Sequence, residues 1–360
     1  MPGMAAYILR RLLLMVPTLV GIVTVSFLII QFVPGGPIEQ ITARLQGTAV
    51  DATATIGGDA GAAVGGAGLA ATGELEPEMV AQLERLYGFD RPVHERYVKL
   101  LWDFARFDFG NSYFQDRPVI DLIVERMPVS ISLGLWTTLL VYLISIPLGI
   151  RKAVRAGSRF DAWSSAIITI GYAIPGFLFA ILLVVLFAGG QFLDWFPSQG
   201  LVSENWQEMG WPARIANYAW HMVLPITAMV IGAFASLTML TKNSVLDEVG
   251  KHYVTTARAK GNTERGVLYG HVFRNAMLIV IAGFPAAFVG VLFTSSLLIE
   301  VIFSLDGLGL LGFEATINRD YPVILGSLFI FSLLGLVANL LGDIAYTLVD
   351  PRIDFERRDI

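Results

Sequence analysis

SISLGLWTTLLVYLISIPLGI, residues Ser130–Ile150, runs for 21 positions without a charged side chain and stops at Arg151-Lys152. At about 1.5 Å of rise per residue, such a helix covers about 30 Å, the thickness of a bilayer's hydrocarbon core. Five further stretches read the same way: Leu12–Phe32, Ala162–Ala188, Trp220–Leu240, Met277–Ile299 and Leu325–Val349. Prolines 17, 147, 175, 225 and 285 lie inside these runs. Proline would break a soluble helix, but packed neighbours in a membrane bundle can satisfy the carbonyl it frees. The expectation is an all-α integral membrane protein with six transmembrane helices.

Composition agrees. Of 360 residues, 55% are hydrophobic and only 15% charged, where a soluble domain carries nearer a quarter. The net charge is −5 and no basic stripe stands out, which argues against nucleic acid as a partner. There is no cysteine, so disulfides and thiolate metal sites are excluded. His94, His221, His252 and His271 show no ligand spacing, and no metal site is expected. The first run follows Arg10-Arg11 but is too long for a signal-peptide core and ends in FVPGGP, not in a small-x-small cleavage site. It is read as an uncleaved helix.

Lysine and arginine set the orientation. With the N-terminus inside, one inner loop holds Arg151, Lys152, Arg155 and Arg159; the other holds Lys242, Lys251, Arg258, Lys260, Arg265 and Arg274. The short outer loops carry only Arg214 and Arg319, beside Asp194, Glu204, Glu208, Asp306, Glu314 and Asp320. Both termini are expected in the cytoplasm. The chain then divides into residues 1–32 (N-terminus and first helix), an extracytoplasmic segment 33–129, a core of five helices at 130–350, and a tail at 351–360.

Within the outer segment, residues 46–73 are Gly, Ala and Thr rich and offer almost nothing to bury, the composition of a flexible loop. Residues 77–110 read as a helical cap. Pro77 opens a helix with Met79, Leu83 and Leu86 at helical spacing and Gly88 as its stop, and His94–Phe107 places Tyr97, Leu100, Leu101 and Phe104 on one face. Such a cap can receive a soluble partner through Glu84, Asp103 and Asp108, or lie on the lipid surface.

The inner loop 241–275 is the most informative polar stretch. A short helix through Tyr253–Lys260 would stop at Gly261, which can adopt a left-handed cap without Cβ strain. Asn262 or Thr263 can cap a following helix, with Glu264 in its positive first turn. The result is a helix–Gly–helix elbow, suited to docking a partner, to solvation alone or to contact with lipid headgroups. Glu300 and Asp343 sit near the ends of apolar runs, where an ionisable group either lines a pathway or serves structure. GLGLLG at Gly307–Gly312 fits a dinucleotide pattern but follows a membrane span and no strand. No GxxxxGK[ST], HExxH or GxSxG occurs, and no catalytic residue is expected.

Several stretches together resemble the permease subunits of oligopeptide and dipeptide ABC importers. They are YVTTARAKG (Tyr253–Gly261) with Glu264 and HVFRNA, the N-terminal YILRRLLLMVPTL, PGGP at Pro34–Pro37, and GFDRPVHERYVKLLWDFARFDFGNS. GYAIPGF, SLDGLGLLGFEA, RDYPV and the closing YTLVDPRIDF also match, from about Tyr7 to Phe355. IRKAVRAGSRFDAWSSA and the long outer insert are most similar to the Yej-type branch. The resemblance implies a type I importer permease fold in a bacterial inner membrane. It also implies alternating access for oligopeptides, peptide antibiotics among the candidate cargo. This chain would bind no cofactor itself, while ATP and Mg are held by a partner ATPase, with two fused ATPase domains in one chain as one arrangement. Further implied partners are a second, similar permease in a heterodimer and an extracytoplasmic peptide-binding protein.

In that family the elbow is the coupling helix. The resemblance carries this role to Tyr253, Thr256, Ala257, Arg258, Ala259, Lys260, Gly261 and Glu264. The general importer loop begins Glu-Ala-Ala, where this chain has Thr255-Thr256-Ala257, and Arg274-Asn275 replaces an apolar-proline ending. A self-sufficient secondary transporter would show an internal repeat around a midplane ion site, and a membrane enzyme would show paired catalytic groups at one depth. Neither pattern is found. Replacing residues 46–73 by a short Gly/Ser bridge is expected to leave complex assembly and uptake nearly unchanged; loss of assembly on gel filtration would contradict the flexible-loop reading.

Overall fold

The computed structural model describes residues 2–32, 85, 88–188, 192–293 and 297–349. The loop 46–73, Glu84 and the residues Met79, Leu83 and Leu86 of the first cap helix lie outside the described residues, as does the tail. The described helices are α1 (Pro2–Phe32), α2 (Val93–Ala105), α3 (Val119–Val154), α4 (Arg159–Ala173), α5 (Gly176–Phe187) and α6 (Trp211–Val249). There follow α7 (His252–Ala259), α8 (Glu264–Val267), α9 (Phe273–Phe293), α10 (Leu297–Ile302), α11 (Leu308–Asn318) and α12 (Tyr321–Val349). Five helical stretches are long and apolar enough to cross a membrane, and six when the bent pair α4–α5 is one span.

That bent pair corrects the expected single helix Ala162–Ala188. The axis turns by 90° between Ala173 and Gly176. Proline disfavours helical geometry in the residue before it, and Ile174 is extended (φ −83°, ψ 118°). Pro17, Pro225 and Pro285 instead stay inside continuous helices. Of the expected run Met277–Ile299, residues 294–296 lie outside the described residues, with α9 before them and α10 after.

The chain forms two compact units. In the first, Met1–Pro128 with Asp306–Leu336, α2 packs as its spacing predicts. Phe104 is buried, and its ring meets Phe109 and Phe329 edge-on at 5.0 and 5.4 Å. The Tyr97 and Thr24 hydroxyls share a hydrogen bond of 2.6 Å, tying α2 to α1. Asp320, expected in an exposed outer loop, is instead 4% exposed. Its carboxylate accepts from the Ser112 hydroxyl at 2.5 Å and the Tyr113 N–H at 3.1 Å. Burial raises its pKa, and those donors offset only part of the rise.

In the second unit, Val129–Leu305 with Val337–Ile360, α3 approaches α6 at Gly149. A Cβ there would fall 2.8 Å from the Thr238 carbonyl oxygen. Beside this approach lies a charge cluster that the count of inner cations did not foresee. Lys152 is wholly buried and donates to the Ser164 and Ser165 hydroxyls at 2.8 and 2.7 Å and to the Asp161 carbonyl at 3.0 Å. The Asp161 carboxylate lies 3.0 Å from the Lys152 ammonium and 2.8 Å from that of Lys242. A buried ammonium persists only when paired and hydrogen-bonded. The cluster therefore fixes the start of α4 against the ends of α3 and α6. Asp161→Ala takes the carboxylate from the buried Lys152 and the partly exposed Lys242 and is expected to cost about 3–5 kcal/mol. It should lower the thermal midpoint of the purified complex far more than Asp194→Ala at an exposed position; equal midpoints would contradict this.

Candidate functional site

The elbow is built by local chemistry. After Val249, Gly250 and Lys251 turn the chain into α7, which ends on Lys260. Gly261 takes φ +83°. Its N–H donates to the Arg258 carbonyl at 2.9 Å, and the Asn262 N–H to the Ala257 carbonyl at 3.4 Å. This paired bonding closes a helix on a left-handed glycine. The Asn262 side-chain amide adds a bond to the Ala257 carbonyl at 3.0 Å. Of the two candidate caps, Thr263 opens α8: its hydroxyl accepts from the Gly266 N–H at 3.2 Å. A π-helical stretch at Leu268–Val272 then carries the chain into α9, so the second arm of the elbow is the base of a membrane span.

Val254, Ala257 and Val267 are buried in a core that includes Val245 of α6 and Val272, Ala276 and Met277 around the start of α9. Small apolar residues at i and i+3 make this the inner edge of α7. Ala257, to which the resemblance carries the coupling role, is thereby turned inward and 6% exposed. Thr256, Ala259, Lys260, Gly261 and Glu264 are exposed. Arg258, one of the residues to which the resemblance carries the coupling role, grips Glu264 across the corner through two bonds of 2.9 and 3.2 Å. An exposed pair of this kind is worth about 1 kcal/mol or less, so its role is to orient the two arms.

Tyr253 ties the elbow to both flanking spans. Its hydroxyl donates to the Glu248 carboxylate on α6 at 2.6 Å and accepts from the Asn275 amide on α9 at 3.1 Å. Glu248 also pairs with Lys251. Burial, then the Glu248 carboxylate, raises the pKa of the phenol, which keeps it a donor. Sequence reasoning named Tyr253 but missed Glu248 and Asn275, because nothing in their spacing reveals a side-chain bridge across 22 positions.

The other expected residues belong to other elements. Glu300 on α10 is fully buried among Ile299 and Phe303, with the Ser130 hydroxyl 3.4 Å away. Asp343 is partly buried on α12. Asp103 is bound by Lys99 at 2.6 Å, and Asp108 accepts from the Gly110 N–H at 3.0 Å. Among the described residues no group of three His, Asp or Glu side chains could hold a metal ion.

Residues 145–355, the stretch containing the elbow, match the family described as "Binding-protein-dependent transport system inner membrane component". The chain belongs to that family. It is 58% identical to the "Peptidoglycan transport system permease protein YejB" of Agrobacterium fabrum, over 99% of this chain and all of that one. The inner membrane ABC transporter permease protein YejB of Escherichia coli O157:H7 matches equally, at 58% over the same shares. The oligopeptide transport system permease AppB of Bacillus subtilis is 34% identical over 98% of this chain and all of that one. The chain is therefore a multi-pass inner-membrane component of an ABC importer, a non-catalytic subunit served by an ATPase and a binding protein.

A Cβ on Gly261 would meet nothing of this chain within 4 Å, so what a substitution costs the permease's own fold there is backbone strain. Left-handed geometry costs about 1–2 kcal/mol for an ordinary side chain and is eased for asparagine. Uptake in reconstituted vesicles is expected to fall in the order glycine, Asn, Ala, Val at this position. Equal uptake for Gly261→Asn and Gly261→Val would contradict the role of the left-handed cap.

Proposed function

We propose that this permease imports peptides, and that its elbow carries the motion of the ATPase to the membrane. The observation that supports the reading is the two-sided elbow. Its outer edge, Thr256, Ala259, Lys260, Gly261 and Glu264, is exposed, while its inner edge is packed and bridged to α6 and α9. A bound nucleotide shifts a transporter only through contacts that differ between its two states. A rigid body joined to two spans converts such contacts at one end into movement at the other. Tyr253 and Ala257 act from inside by holding the elbow's shape, Arg258 by clasping Glu264, and the exposed residues by meeting the ATPase groove.

Peptide as cargo follows from the resemblance to peptide permeases and from the relatives' names. In this reading a second, similar permease completes the pathway, the termini are cytoplasmic, and ATP with Mg stays on the partner ATPase. The cap, through Asp103 and Asp108, helps to receive the binding protein. Charge reversal at both is expected to weaken binding-protein-stimulated ATPase and spare the basal rate. Glu300, sealed in the core, serves structure, while Asp343 is the better candidate to face the pathway.

The decisive comparison uses two alanines. Ala259→Glu is expected to leave the permease folded, with a normal thermal midpoint, yet to abolish ATP-driven uptake by blocking the ATPase groove. Ala257→Glu drives a charge into the elbow's own core and should lower the midpoint itself. Full uptake with Ala259→Glu in vesicles of known ATPase activity would overturn the docking assignment.

A further inference from the structure

We infer that the first unit carries a site for the headgroup of an anionic phospholipid, between α1 and α2. A cavity of about 340 Å³ opens there, with Arg85, Arg91, Arg96 and Lys99 on its walls. Its one carboxylate among the described lining residues, Asp103, is already bound by Lys99. The Arg96 guanidinium is held over the Phe89 ring at 4.7 Å, with Phe27 at 6.0 Å, so a cation is fixed in place before any ligand arrives. No carboxylate of the described residues pairs with the three guanidinium groups. Converging unpaired arginines select an anion with several acceptor oxygens, and a phosphodiester fits that geometry.

Position selects the lipid over a soluble anion. The cavity is walled by the last turns of α1, at Phe27 and Gln31, and by the first turn of α12, at Tyr321. Both are ends of helices that qualify as membrane spans, the depth at which headgroups lie. On the same turns of α1, Val25, Leu28, Ile29 and Phe32 are exposed by 48% to 84%, an apolar surface along which acyl chains can run. A cation near an anionic lipid surface contributes enough for roughly five-fold in affinity.

The test uses the complete transporter in nanodiscs of phosphatidylcholine doped with phosphatidylglycerol, reading retained lipid by native mass spectrometry. Wild type is expected to retain phosphatidylglycerol selectively. Arg85→Gln with Arg91→Gln, both exposed side chains, should reduce retention by about 25-fold with an unchanged thermal midpoint in pure phosphatidylcholine. Arg96→Lys, which keeps the charge and loses the planar fork, should give an intermediate loss. Equal retention by the double variant would overturn the site. So would protection of wild type by inorganic phosphate equal to that by phosphatidylglycerol, which would make it a soluble-anion site. A loss of binding-protein affinity in lipid-free detergent would overturn it too, assigning the arginines to an acidic protein face.

Discussion

A chain that crosses hydrocarbon has no water to satisfy its polar groups, and the arrangement of this permease follows from that constraint. Backbone bonds must close within helices, so the described secondary structure is helical apart from a single isolated bridge. Polar side chains in the bundle must find partners inside it. Lys152 shows how completely this can be done: it has no exposed surface, and its ammonium meets two hydroxyls, a carbonyl and a carboxylate. Ser145, about two turns back along α3, bonds to the Phe234 carbonyl at 3.0 Å, where α3 runs against α6. The same rule makes such clusters rigid, because any shear would strand a buried charge.

In the proposed reading, rigidity at that level gives the elbow its leverage. The core around Val254, Ala257 and Val267 includes Ile150 and Ala153 from the end of α3, so the elbow stands on three helices. Its corner is held by a left-handed glycine, a threonine cap and an arginine clasp. None of these is strong alone. Together they leave the two arms without a soft joint, while Tyr253 joins the whole to the spans on either side.

How much of this was legible in the sequence depended on how local the cause was. The spans, the glycine stop and the Thr263 cap are set within a few residues, and all can be read from composition and turn chemistry. The α2 face of Tyr97, Leu100, Leu101 and Phe104 was readable for the same reason. The break at Pro175 was not, since Pro225 sits in an unbroken helix. Whether a proline kinks or divides a span depends on the neighbours that receive its freed groups. Lys152 and Lys242 read as loop cations because their partner, Asp161, belongs to another helix. Asp320 read as a loop acid because Ser112, over two hundred positions away, is its donor. Ala257 was the nearer miss: Val254 and Ala257 at i and i+3 already marked an inner edge.

The central claim is that the elbow moves as one body with the ends of α6 and α9. The chain has no native cysteine, so spin labels can be placed at will. The direct measurement is the distance between labels at Thr255→Cys on α7 and Leu240→Cys on α6, taken by pulsed electron spin resonance in nucleotide-free and ATP-trapped transporter. The account predicts one narrow distribution, unchanged between the two states, while the distance from Thr255→Cys to a label on the partner permease shifts. A shifted or broadened elbow-to-α6 distance on ATP binding would contradict it.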